Sequence, residues 1–506
     1  MLCIAAPSAL RWTSLTLPFR LHSGETARKH LPATMPGGIA VFDFDGDGRL
    51  DVFFANGADL PSGKKTQAAH SNRLYRNLPA GRAIREPRFA DVTGPAGLTG
   101  TGYGFGVALA DYDHDGHTDL LVTGLREITL YRNTGHGTFE NVTQASGLDN
   151  HHRWAITAAW FDMDNDGDQD LFVANYVHWD PATEKECIVA GQPDFCHPQY
   201  YEPQPSALFR NNGNGTFTDL SAESGIGALP GKAMGVAAAD FDHDGLTDLY
   251  VTNDREFAFF WHNLGRGKFK EEAFERGVAV PSDGKTVSAM GVNAEDYDND
   301  GHVDLVYTAL RDETFPLLRN NGKGYFTESH AIATLTREHS GWGVAFADLD
   351  NDGLKDIVTA RSGVLSLNAA RGASMPEPPG WLRNTGNGRF ANGVGWEGVP
   401  AAMYRGLVTA DFNDDGCLDA VLTALNAPAR ILIHPCPAGA NWLKVTGAKR
   451  RVRAGSQWRE AGTALSYGSS YAGPLHFGLG GSAREIMVTI DDARPHLVKP
   501  NQTIRK

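Results

Sequence analysis

No stretch of the 506-residue chain approaches the run of about 20 apolar residues that a membrane-spanning helix needs, so no helical span is expected. Basic residues are in the minority, 46 Lys and Arg against 60 Asp and Glu, and the positive field that draws nucleic acid is missing from the molecule as a whole. There is no recognisable Ser-His-Asp order, zinc-ligand spacing or phosphate-cradling glycine loop. The adjacent pairs His151–His152 and Cys196–His197 lack partners at metal-ligand spacing, and their histidines read as exposed loop residues. Cysteine is scarce, at five. Met1–Leu10 is weakly apolar with no basic residue ahead of it; it reads as the remnant of an export signal begun upstream or as part of an unstructured tail over residues 1–30.

What the chain does have is glycine (58 residues, without a collagen period) and a recurrent acidic loop. The loop is nine residues long, with carboxylates at positions 1, 3, 5 and 9, glycine at position 6 and an apolar β-type run directly after it. It occurs as Asp43, Asp45, Asp47, Asp51; Asp111, Asp113, Asp115, Asp119; Asp162, Asp164, Asp166, Asp170; and Asp240, Asp242, Asp244, Asp248. It recurs as Asp296, Asp298, Asp300, Asp304; Asp348, Asp350, Asp352, Asp356; and Asp411, Asn413, Asp415, Asp419. Carboxylates this close repel unless a cation sits among them, and hard oxygen donors select Ca²⁺ or Mg²⁺. Position 7 is chemically random, as a backbone carbonyl ligand permits. An EF-hand would need Glu at position 12, where Phe54, Val122, Val173, Val251, Tyr307, Thr359 and Leu422 stand instead. The expectation is structural Ca²⁺ at up to seven sites, the seventh weakest because Asn413 removes a charge. Seven divalent ions would offset the formal charge of −14, so the acidity belongs to metal sites rather than to a polyanionic surface.

Each loop sits in a unit of four short strands. In the second unit these are Gly104–Leu109, Leu120–Thr123, Ile128–Asn133 and Thr138–Thr143, the third and fourth joined by an Arg-Asn-Thr-Gly-His-Gly turn at 132–137. Loops begin at Asp43, Asp111, Asp162, Asp240, Asp296, Asp348 and Asp411, a period near 50 with insertions. Seven such units predict an all-β fold, a seven-bladed β-propeller over residues 31–436, followed by a small β domain over 437–506. The seventh unit lacks a fourth strand, and residues 15–22 are placed to supply it. The long insertions (Gly57–Ser71, Val177–Ser206, Ser362–Gly380) all join second to third strands, on the face opposite the acidic loops, which makes that face the expected ligand surface. Cys187 with Cys196, and Cys417 with Cys436, are candidate disulfides. The second pair faces across a hairpin if its turn is symmetric, with facing residue numbers summing to 853; Cys3 is left over. Disulfides would imply an oxidising compartment.

These residues resemble the FG-GAP/VCBS repeat proteins, whose propellers carry Asp-x-Asp-x-Asp-Gly-x-x-Asp loops. The whole chain is similar to the ASPIC/UnbV group, through Thr34–Gly48 and the Leu475–Gly480 segment; a usual Trp-Pro-Ser-Gly element is replaced here by Asp491–Pro495. The resemblance implies calcium binding and export, hence an extracytoplasmic location, without fixing an activity. Two functions follow as expectations. One is a calcium-stabilised binding or adhesion scaffold for a protein or glycan. The other is an enzyme acting on a sugar, peptide or secondary metabolite in the propeller channel, whose mouth Tyr103, Trp154, His339, Trp342, Tyr404 and Arg405 would line; packing within the channel is the other reading of these residues and the one each favours singly.

Overall fold

The computed structural model describes residues 12–79, 86–364, 366–367, 376–396, 398–448, 451–481, 485–491 and 493–506. The segment Met1–Leu10, Cys3 and part of the third insertion lie outside them. The chain is nearly all-β, a propeller in which, among the described residues, each acidic loop sits in its own sheet; six of these sheets are four-stranded and antiparallel, and the first has six strands. The inner strands are Ile39–Phe42, Gly104–Ala110, Ala155–Phe161, Ala233–Ala239, Val292–Glu295, Gly341–Ala347 and Tyr404–Ala410. Each packs beside the next, and the last touches the first. Their small residues follow from this convergence: a Cβ on Gly106 would come within 2.3 Å of the Ile156 carbonyl. Large apolar side chains lie between neighbouring sheets, as where Tyr112, Leu121 and Leu130 of the second unit meet Trp160, Leu171 and Phe209 of the third.

The seventh sheet takes its outer strand from the other end of the chain: Thr13–Arg20 pairs antiparallel with Pro428–Ile433. The pairing ties the segment before the first acidic loop to the sheet of the last one. Both cysteine pairs are bridged, Cys187 to Cys196 and Cys417 to Cys436. The Asp419–Ala424 hairpin is one residue away from the symmetric register, since Ala420 faces Leu432. Cys417 and Cys436 lie just beyond the paired strands, where the backbone is free to bring them together.

After residue 440 the chain forms two small sheets (Asn441–Thr446 with Leu475–Gly480 and Gln502–Arg505; Arg451–Ala454 between Gln457–Glu460 and Ile486–Ile490, with His496–Val498 beyond) around their own core. Between them, Ala464–Leu465 and Ser469–Ala472 leave this unit and add to the first propeller sheet, the latter parallel to Ile39–Phe42. The hairpin tip runs along the propeller axis. Val107 N–H donates to the Gly468 carbonyl (3.0 Å), Val344 N–H to Ser466 Oγ (2.8 Å) and Leu109 N–H to Ser470 Oγ (3.1 Å). Tyr467 packs edge-on against Trp342 and donates to the Met35 carbonyl (2.8 Å).

This plug fills the channel that the enzyme reading would have used. Tyr103, Trp154, Trp342, Tyr404 and Arg405 are buried, in keeping with the packing reading, and of these five Trp342 also lines a cavity on the insertion face. Arg405 lies 3.7 Å over the Trp342 ring and donates through Nε to the Thr34 carbonyl (2.9 Å). His339 is the half-buried exception, 2.7 Å from Glu377.

Candidate metal centres and the opposite face

Each acidic loop is a tight reversal whose backbone the side chains hold in place. Position 4 has positive φ in all seven, as at His114 (φ 59°) and Asn299 (φ 61°), and the position 6 glycines reach φ 85–98°. That left-handed region accounts for glycine there, because a Cβ is strained in it. The position 1 carboxylate accepts from the backbone: Asp43 from Asp47 N–H (3.0 Å) and Gly48 N–H (2.8 Å), Asp348 from Asp352 and Gly353.

Position 9 opens the second strand and is buried. Asp119 accepts from Asn133 N–H at 2.7 Å and from Tyr112 N–H at 3.2 Å, and Asp51, Asp170, Asp304, Asp356 and Asp419 repeat the clamp. The Asn of the Arg-Asn turn then crosses to the neighbouring sheet. Asn133 Nδ2 donates to the Phe44 carbonyl of the preceding loop (2.9 Å), Asn211 to Tyr112, Asn263 to Met163 and Asn320 to Phe241. Asn77 does the same to Phe412, joining the first sheet to the seventh (2.9 Å). So the acidic loops are tied from sheet to sheet around the ring.

The Arg of the same turn neutralises only the outer side of a loop. Arg76 Nε lies 2.6 Å from Asp45 Oδ2, and Arg383 Nε lies 2.6 Å from Asp350 Oδ2. The inward oxygens, Oδ1 of Asp45, Asp111, Asp164, Asp240, Asp242 and Asp350, are buried and accept no hydrogen bond among the described residues. In the first loop, carboxylate oxygens of Asp43, Asp45 and Asp51 lie within 4.8 Å of one another; in the second, those of Asp111, Asp113 and Asp115 do. Burial pushes the position 9 carboxyls up, to about 8 for Asp51, Asp119 and Asp248 and about 9 for Asp304, with their acidic neighbours adding to the shift. Orphaned, convergent, all-oxygen donors fit a hard divalent cation, which would lower those pKa values again.

The seventh loop differs. Lys444, from the first strand beyond the propeller, places Nζ 2.8 Å from Asp411 Oδ2 and also on Asp414, with both Lys444 and Asp411 side chains buried. An ammonium therefore already stands at the position 1 carboxylate. Nearby contacts seat the C-terminal unit on further loops: Gly480 N–H donates to the Asn351 carbonyl (2.8 Å), and Asp240 N–H donates to Glu460 (3.2 Å). Neither contact has a sequence signature, because both join residues far apart in the chain that share no repeat.

On the opposite face the insertions pack on one another. Glu184 accepts from Leu31 N–H (3.0 Å) and Tyr201 Oη (2.8 Å) and lies 2.5 Å from His30 Nδ1. Asp194, in the disulfide-bridged hairpin, accepts from Ser366 Oγ at 2.8 Å. Beside them opens a cavity of about 160 Å³ lined by Met35, Asp254, Arg255, Met290, Glu313 and Trp342, among others. Tyr176 Oη donates to Asp254 there (2.6 Å), and burial raises the Asp254 carboxyl to about 6. Arg255 pairs with Glu313 at 2.6 Å.

A family model described as FG-GAP-like repeat matches residues 43–122, 115–173, 191–251, 242–307 and 296–359, more than half of the chain. Cartilage acidic protein 1 of Mus musculus is 25% identical over 370 residues, covering 70% of this chain and 51% of that protein. The Homo sapiens protein is 25% identical over 379 residues, covering 71% and 52%. The chain thus spans about half the length of the curated relatives it matches. Among solved structures, an Agrocybe aegerita lectin specific for non-reducing terminal N-acetylglucosamine superposes with a TM-score of 0.42 at 16% identity, over 78% of this chain and 87% of its own. YCF48 bound to D1 peptide superposes with 0.43 at 9% identity, over 85% and 99%.

Proposed function

The chain belongs to the FG-GAP-like repeat family, and from that premise we propose that it is a calcium-stabilised, extracytoplasmic binding scaffold of the ASPIC/UnbV type. The observation that carries the reading is the set of buried, unpartnered inward carboxylate oxygens in the first four loops and the sixth. Residues at positions 1, 3, 5 and 9 would hold the ion, which supplies charge compensation and ties the loop to the second strand. Six loops take calcium; in the seventh, Lys444 takes the cation's role beside Asp411. Oxidising surroundings agree with the two disulfides.

The ligand is a protein or glycan, met on the face that carries the insertions. Two features favour that face. The C-terminal unit already covers part of the acidic-loop face, and the Arg255–Glu313 cavity offers polar groups in a pocket walled by Trp342 and methionines. Catalysis in the axis has no room, since residues 463–472 fill it. A glycan and peptide array probed with the calcium-loaded full chain and with Arg255→Glu tests this. Binding that the substitution abolishes supports it; binding that survives Arg255→Glu, and is lost on changing the C-terminal unit instead, overturns the assignment of the face.

A further inference from the structure

The C-terminal unit divides the acidic loops into two kinds. In the first four, the position 6 glycines Gly48, Gly116, Gly167 and Gly245 are exposed, and a Cβ added at any of them would meet no atom within 4 Å among the described residues. In the fifth loop a Gly301 Cβ would lie 3.5 Å from Trp458 Nε1; in the sixth, a Gly353 Cβ would lie 3.5 Å from the Gly478 carbonyl oxygen and 3.6 Å from Gln457 Nε2. In the seventh, where Lys444 already stands, a Gly416 Cβ would lie 1.8 Å from Trp442 Nε1. The position 1 carboxylates follow the same division. Asp43, Asp111, Asp162 and Asp240 are half-buried, whereas Asp296 is 1% and Asp348 4% exposed. Gly478 packs so closely on Asp348 that a Cβ there would lie 1.9 Å from Oδ2. Glu460 touches the fourth loop through Asp240 N–H but leaves Gly245 open.

We propose that the fifth and sixth loops are occluded calcium sites, closed by Gln457, Trp458 and Gly478 of the C-terminal unit, while the first four loops exchange their ions freely with solvent. The inference rests on the calcium reading of the loops given above. Asp296 and Gly301 face a cavity of about 50 Å³ whose other wall is Trp458, Arg459 and Glu460, so the unit stands over the fifth loop. Charge makes closure and ion binding favour each other. Arg459 Nε donates to Glu295 (3.0 Å), so that guanidinium is already engaged. Lys355, whose charge acts on both Asp296 and Asp348, is a single ammonium, buried and without a hydrogen bond among the described residues. Seating the unit on ion-free loops would bury Asp296 and Asp348 with too little positive charge beside them, and a divalent ion in each loop removes that cost. Coupling of this kind is reciprocal, so the docked unit holds those two ions more tightly in turn. Residues 463–472, lodged in the axis, keep the unit attached when its two sheets lift.

The test loads the full chain with Ca²⁺, removes free ion and mixes the protein rapidly with excess chromophoric chelator. Six ions leaving in two phases are expected: four fast, and two slower by at least about tenfold because they wait for the unit to lift. Hydrogen exchange read at the same delays should show the strands Arg451–Ala454 and Gln457–Glu460 losing protection with the slow pair and not with the fast four. Trp458→Ala and Gln457→Ala change no charge and take nothing from the loops themselves; each should move at least one ion from the slow phase to the fast one. The wild-type phases decide the outcome even if a variant fails to fold. Release of all six ions in one phase, or a slow pair that neither variant hastens, overturns the proposal and leaves the calcium reading standing. A loaded chain that holds no calcium overturns both.

Discussion

Replacing Lys444 by Met separates the two cations that the account assigns to the acidic loops. The change keeps most of the aliphatic stem beside Trp442 but removes the ammonium 2.8 Å from Asp411. Both side chains are more than nine-tenths buried, so solvent does not screen the loss. Breaking such a pair by removing one partner costs about 3–5 kcal/mol. For 506 residues the entropy of unfolding is about 1.1 kcal/mol per kelvin, at about 2.1 cal/mol/K per residue. In chelator, Lys444→Met should therefore lower Tm by about 3–5 °C if the chain unfolds as one unit. In millimolar Ca²⁺ the vacated loop keeps Asp411, Asn413, Asp415 and Asp419 and takes an ion, so the deficit should shrink to about 1 °C or less. Calorimetric titration should count one more calcium than in the wild type. An equal deficit with and without calcium, or an unchanged stoichiometry, would refute the idea that Lys444 stands in for the ion.

Three further outcomes follow from the loops. Asn133→Ala removes the hydrogen bond to the Phe44 carbonyl and should cost about 1–3 kcal/mol in denaturant unfolding, whether or not calcium is present. Gly116→Ala introduces a Cβ at φ +88° with open space around it, so only backbone strain of about 1–2 kcal/mol is expected, together with weaker calcium binding at the second loop alone. The third concerns pH. In ion-free protein the position 9 carboxyls sit near 8 against an unfolded value near 4, so their stabilising contribution is complete below about pH 4 and is lost as pH rises through 8. Chelator-treated protein should accordingly melt lower at pH 8 than at pH 5, while the increment from added calcium grows over the same range. A calcium increment that narrows with rising pH would contradict the assigned cause.

The propeller was readable in the sequence because it is written seven times. A single acidic turn is ambiguous, but seven with the same offsets, five followed by an Arg-Asn turn and a sixth by His262-Asn263, define the unit, its strands and its faces. The role of the turn residues was not readable. That Asn133 donates to the preceding sheet depends on how sheets are arranged around an axis, which no spacing within one repeat expresses. The same holds for Lys444 and for the hairpin at Ser466, Tyr467 and Gly468, non-repeating residues whose partners (Asp411, Val344, Met35) lie in the propeller repeats or ahead of them, at separations that follow no period. The hairpin was not legible, and it is what decides between the two readings of Trp342 and Arg405, channel packing and channel mouth, in favour of packing. Aromatic and basic residues at the start of inner strands suit an open mouth equally well until the segment that covers them is located.

The central claim, that calcium holds the propeller together, is tested most directly by melting the full chain before and after EDTA while counting the ions released. At a hundredfold excess over Kd each site contributes about 2.7 kcal/mol, so six sites amount to about 16 kcal/mol and a Tm shift of about 15 °C. The account predicts six calcium ions released per chain and a large fall in Tm that is reversed by Ca²⁺. Unchanged melting after EDTA, with no calcium recovered, would contradict it.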